Sequence, residues 1–155
     1  MLKLMKTLYD CGAITNNEVE KLGINESILN DLISKEQIAT KMQKGEACYM
    51  LTEFGEKVYR LNTNRKLFFR CINLEKCTSL AAFYASLTDE ERNTWKNKDA
   101  WYAEGYVGAI PDATYLNDGK MYGVYVVTDS TSQNTIKKIE EFVAERNISQ
   151  MNYLK

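Results

Sequence analysis

Two periodicities alternate along this chain. Leu2, Leu4, Met5, Leu8 and Tyr9 recur at helical spacing and stop at Cys11-Gly12, where a glycine can close a helix in the left-handed conformation. Thr15-Asn16-Asn17-Glu18 reads as a capping box ahead of Val19 and Leu22, and Gly23-Ile24 ends that second helix. A third helix, capped by Asn25 or Ser27 and running from about Asn25 to Lys35, carries Ile28, Leu29, Leu32 and Ile33 as one apolar stripe. The pattern then changes to that of strands at Gln37 to Met42 and Ala47 to Leu51, on either side of a Gln43-Lys44-Gly45-Glu46 turn. Thr52 caps a fourth helix in which Phe54, Val58 and Leu61 are expected to face inward.

The second half repeats the alternation. Asn62-Thr63-Asn64 reads as a link, and a helical pattern follows through Leu67, Phe68, Cys71, Ile72, Leu74, Cys77, Leu80, Ala81, Tyr84 and Leu87. Thr88 caps a further helix with acids in its first turn. Ala113 to Leu116 and Met121 to Thr128 alternate about Asp118-Gly119, a dipeptide suited to a two-residue hairpin. That turn sets Asn117 against Lys120, Asp112 against Tyr125 and Ile110 against Val127, so Asp112, Tyr125, Val127 and Asp129 are expected on one face. Pro111-Asp112 then opens the strand, with Asp129 or Ser130 capping the helix after the hairpin. This helix runs from Ser132 to about Asn147 with Ile136, Ile139 and Val143 inward, and Ile148 to Leu154 reads as a closing strand. An additional first strand is expected near Trp101 to Tyr106.

Helices joined by a tight glycine-containing turn, then a two-stranded wing and a closing helix, make a winged helix-turn-helix over residues 1–61. The segment YMLTEFGEKVYRL resembles the wing-to-helix junction of winged-helix DNA-binding proteins. The expected fold class is α+β, with residues 62–155 as a second, α/β domain.

Composition narrows the function classes. The 155 residues are 45% hydrophobic and 26% charged, as expected of a globular protein, and the net charge of −1 gives no global basic excess for a polyanion. The chain has no histidine and no CxxC pair among its four cysteines, which argues against a zinc site and against a histidine-dependent triad. No segment approaches the roughly 18 apolar residues of a membrane span. The N-terminus, interrupted by lysines and an aspartate, does not read as a signal peptide. A soluble, cytoplasmic protein with reduced thiols is expected, with no membrane partner. Trp95, Trp101, Tyr102 and Tyr106 are read as core or interface residues in preference to base-stacking platforms.

Any nucleic-acid site must therefore be local. In the winged-helix arrangement the third helix enters the major groove, and Asn25, Ser27, Asn30 and Ser34 are its candidate contacts to double-stranded DNA. Lys35 at its end, with Lys41 and Lys44 on the wing, are the candidate phosphate contacts. Glu26 and Asp31 lie on the same helix, and residues 1–61 hold eight basic against nine acidic side chains. Phosphate repulsion there leaves open a module for protein contact or homodimer formation that has lost DNA affinity.

The Ile-Pro-Asp-Ala start of the hairpin, a strand ending in Thr-Asp-Ser and a helix bearing TIKKIEEF resemble the C-terminal part of the replication-relaxation family of plasmids and other mobile elements. That resemblance implies a winged helix joined to an αβββαβ domain related to PD-(D/E)xK endonucleases. It also implies a DNA-binding role in replication, transfer or regulation. In such nucleases two carboxylates on neighbouring strands hold Mg²⁺ and a lysine stabilises developing charge. Asp112 fits the first carboxylate and is the candidate metal ligand. The second position holds Val127 and the lysine position holds Asp129. Asp129 lies roughly 13 Å along the strand from Asp112, at about 3.3 Å per residue, too far for one metal to bridge without a bulge. Lys138 is a candidate relocated lysine and Glu104 a candidate carboxylate. The expectation is a degenerate, non-catalytic domain without cofactor, Mg²⁺ entering only if the nuclease alternative through Asp112, Asp129 and Lys138 holds.

Overall fold

The computed structural model describes residues 1–63 and 73–155. The protein is α+β, and its chain divides into two compact units, Met1–Ser86 and Leu87–Lys155.

The first unit begins with α1 (Leu2–Cys11), β1 (Ile14–Thr15), α2 (Asn16–Lys21) and α3 (Glu26–Ser34). The capping box at Thr15 is formed: Glu18, itself buried, accepts the Thr15 main-chain N–H at 2.9 Å and its hydroxyl at 2.5 Å. Asn25 caps α3, its side chain accepting the Ser27 N–H at 2.8 Å. The strands β2 (Ile38–Gln43) and β3 (Glu46–Leu51) pair antiparallel, Gln43 opposite Glu46, across a two-residue turn in which Lys44 and Gly45 have φ of 50° and 78°. Two successive left-handed residues match the twist of a tight hairpin. The short β1, not expected from the pattern, pairs through Ile14 and Thr15 with Tyr49 and Cys48, giving a sheet ordered β1-β3-β2.

α4 (Glu53–Thr63) starts at Thr52, whose hydroxyl accepts the Gly55 N–H at 3.0 Å and donates to the Glu36 carbonyl at 2.6 Å. Here the expected facing is corrected. Gly55, Glu56 and Tyr59 are buried, while Phe54 and Leu61 are 53% and 75% exposed. The reason is a main-chain contact: a Cβ on Gly55 would stand 1.9 Å from the carbonyl oxygen of Gln37, just before β2, so the glycine turns toward that main chain and rotates the apolar stripe outward.

The expected boundary at Asn62 to Asn64 is also corrected. Asn62 and Thr63 continue α4, and α5 (Leu74–Ser86) belongs to the first unit, packing on α1, β1 and α2 with Cys77, Leu80, Ala81 and Tyr84 buried. The hydrophobic interior holds Leu4, Leu8, Ile14, Leu32 and Leu80, all nearly inaccessible. Cys11, Cys48 and Cys77 are buried. Asn64, Leu67, Phe68, Cys71 and Ile72 lie outside the described residues.

The second unit contains α6 (Asp89–Asn93), β4 (Lys96–Asn97), α7 (Lys98–Ala103), β5 (Ala113–Asn117), β6 (Lys120–Val126), α8 (Gln133–Glu145) and β7 (Gln150–Leu154). Its sheet runs β4-β5-β6-β7, antiparallel except for the parallel β6–β7 pair that α8 connects. The hairpin has the expected register, Asn117 opposite Lys120 and Ala113 opposite Val124, with Asp118 and Gly119 at φ of 50° and 74°. The first strand is β4 and not a segment near Trp101 to Tyr106. Asn97 caps α7 by accepting the Ala100 N–H at 3.0 Å, which commits Trp101 to a helix. Trp101, Ile110, Phe142 and Ile148 form the core, with Tyr106 and Phe142 edge-on to the indole of Trp101. The cap of α8 is Ser132, which accepts the Thr135 N–H at 3.1 Å, and not Asp129 or Ser130.

Candidate functional site

Two places answer to the sequence-derived expectations. In the first unit, burying Leu29 and Leu32 leaves the opposite face of α3 to solvent. Asn25, Ser27, Asn30, Ser34 and Lys35 are all exposed there, as are Lys41 and Lys44 on the β2–β3 hairpin. Several are engaged locally. Asn25 spends its side-chain oxygen on the cap, and the Ser34 hydroxyl donates to the Asp31 carbonyl at 2.7 Å. Lys35 pairs with Asp31 at 2.7 Å, and Lys44 reaches Glu75 of α5 at 3.1 Å. Both ion pairs are largely exposed, and such pairs contribute at most about 1 kcal/mol, so a phosphate can displace the carboxylate. Ser27, Asn30 and Lys41 have no side-chain partner among the described residues.

Asp112 is the second place. It is buried, and its polar groups are all used within the unit. Its N–H donates to the Val124 carbonyl at 2.8 Å and its carbonyl accepts from the Lys98 N–H at 2.9 Å. Oδ2 accepts the Val126 N–H at 2.8 Å, while Oδ1 lies 3.1 Å from the Lys98 ammonium. The Asp112–Tyr125 pair expected from the hairpin is therefore replaced. Beyond Ala113 the regular ladder stops, because the carboxylate takes an N–H of β6 that a main-chain carbonyl would otherwise accept.

Asp112, Asp129 and Lys138 do not form one constellation. Asp129 is exposed in a turn past the end of β6, and Lys138 is exposed on α8. Glu104 pairs with Lys96. Mg²⁺ takes oxygen ligands at about 2.0–2.1 Å in near-octahedral geometry. The described residues contain no group of three or more acidic or thiol side chains able to hold a metal, and the Asp112 oxygens already have an ammonium and an amide as partners. The residues do not fit Mg²⁺.

No family model, curated protein or solved structure matches the chain.

Sequence reasoning missed Lys98, because its pairing with Asp112 depends on the β4–β5 register, which sets Asn97 opposite Ala113. It also missed the cations that cover Trp101. The Lys96 ammonium stands 3.8 Å from the indole centre and the Arg146 guanidinium 5.6 Å from it, and the latter also covers Tyr106 at 4.5 Å. Asp99, beside Lys98 in the chain, has its carboxyl pushed above the ordinary range by burial, with the Lys98 charge opposing the shift.

Proposed function

We propose that residues 1–86 form a winged helix-turn-helix that binds double-stranded DNA, with α3 in the major groove and the β2–β3 wing against the backbone. The observation that carries this reading is the outer face of α3, where the side chains of exposed Ser27 and Asn30, like that of Lys41 on the wing, have no partner among the described residues. Ser27 and Asn30 suit base edges, and Lys41 suits a phosphate. The second unit, in this reading, is a nuclease-like αβββαβ domain without catalysis, with α7 inserted between its first two strands, a reading supported by the sheet order and by the engagement of Asp112. A role in replication, transfer or regulation on a mobile element follows from the resemblance of the hairpin and its flanking helix.

The test is fluorescence anisotropy of the full chain with a labelled duplex across a salt series. Affinity falls with salt, and Lys41→Ala with Lys44→Ala lowers the log–log slope by about 2, at roughly 0.9 per lost phosphate contact. Absent binding, or an unchanged slope, rejects the reading.

A second reading, a protein-contact module, is favoured by the apolar side chains left outside: Phe54 and Leu61 on α4 and Met42, 67% exposed, on the wing. It expects a concentration-dependent increase in mass with no affinity for duplex DNA.

A further inference from the structure

We infer that the Lys98 ammonium is the resident cation of the Asp112 site, standing where the nuclease resemblance would put a divalent metal. This deepens the non-catalytic reading of the second unit, on which it rests, and it is independent of DNA binding by the first.

Asp112 is 5% exposed, and a carboxylate so placed requires a counter-charge or hydrogen bonds to its ionised form. It has both. Lys98 supplies the charge at Oδ1, 3.1 Å away, and the Val126 N–H supplies a hydrogen bond at Oδ2, 2.8 Å away. The ammonium is fixed from its own side as well. Lys98 donates its main-chain N–H to the Asp112 carbonyl, so lysine and aspartate are joined at two points, and the Tyr125 ring centre lies 5.6 Å from the ammonium. One ammonium and one carboxylate are neutral together. A divalent ion would have to expel Lys98, leaving that charge to find other partners, and would bring an uncompensated positive charge to a single acid. It would also compete with the Val126 N–H, which is buried with its strand and donates to the same carboxylate. Asp112 therefore acts as a clamp between the start of α7 and the end of β6, with Lys98 as its positioning partner.

The test uses the full chain. Thermal unfolding followed by circular dichroism in EDTA, Mg²⁺ and Mn²⁺ is expected to give one unfolding temperature for the wild type, and manganese titration followed by electron paramagnetic resonance is expected to show no bound ion. Lys98→Met strands a buried carboxylate and is expected to lower the unfolding temperature by about 10 °C or more, whereas Lys98→Met with Asp112→Asn recovers most of the loss. Should Lys98→Met fail to fold, recovery in the double variant carries the same information. Manganese binding that Asp112→Asn abolishes, or an unfolding temperature that Lys98→Met leaves unchanged, overturns the inference. Manganese binding with DNA cleavage would overturn the non-catalytic reading too; binding without cleavage would overturn this inference alone.

Discussion

The Tyr84 hydroxyl donates to Oδ2 of Asp10 at 3.2 Å, joining the last turns of α5 to the end of α1. Lys6 pairs with the same carboxylate oxygen and also lies 3.1 Å from the Tyr84 oxygen, and Asp10 is 1% exposed. A carboxylate buried among these helices depends on both partners. Tyr84→Phe removes one of them while keeping the packed ring, and is expected to destabilise the first unit by about 1.5–3 kcal/mol in urea unfolding, the worth of a hydrogen bond to a charged group. An unchanged midpoint would show that Asp10 is satisfied without the Tyr84 hydroxyl.

The same contact gives the protein an alkaline limit. Burial, followed by the Asp10 charge, pushes the Tyr84 hydroxyl well above its ordinary range, and burial also raises the Cys11 thiol. In the unfolded chain these groups release protons near pH 10 and 8.5 respectively, as unperturbed side chains do. The folded state holds them longer, so stability is fully present below those values and declines as pH rises past about 8.5 and then about 10. Chemical unfolding between neutral and strongly alkaline pH checks this; Cys11→Ala is expected to flatten the earlier part of the decline and Tyr84→Phe the later part.

Gly55 is expected to tolerate no side chain. A Cβ there would lie 1.9 Å from the Gln37 oxygen and 2.7 Å from its carbonyl carbon, both main-chain atoms that a side-chain rotation cannot move aside. Gly55→Ala should cost about 3 kcal/mol or more, at the upper end of overpacking substitutions, measured by thermal or urea unfolding.

Asp31 offers a gain-of-function check on the interface. It holds Lys35 at 2.7 Å and adds a negative charge to the exposed face of α3. Asp31→Asn is expected to tighten duplex binding at low salt and to steepen the log–log salt slope by about 0.9, one additional phosphate contact. Unchanged affinity would take α3 out of the DNA interface.

What could be read from the sequence was what depends on near neighbours. Asp118-Gly119 determined the hairpin register from Asn117–Lys120 as far as Ala113–Val124, and Thr15 with Glu18 marked the start of α2. Thr88 likewise caps α6 as expected, in a box with Glu91. The errors lie where distant segments decide. The apolar spacing of Phe54, Val58 and Leu61 is sound helical periodicity, but the approach of Gly55 to Gln37 determines which side of α4 is covered. The first unit extends past Asn62 to Asn64 because α5 joins it through Tyr84, Lys6 and Asp10, partners far apart in the chain. The Asp112 position was recognisable from its neighbours and the turn, yet its role depended on Lys98, brought to it by the β4–β5 pairing.

The parallel β6–β7 pair has a consequence for the order in which the second unit assembles. Hairpins with short turns close in about 1–10 μs, so β5 and β6 can find each other early across Asp118-Gly119. β7 meets β6 only after α8 has carried the chain back, and the entropy of closing that longer loop is lost before any β7 contact compensates for it. The strand QMNYL is thus expected to dock after the hairpin has closed, and hydrogen exchange of its amides faster than those of β5 and β6 checks this order.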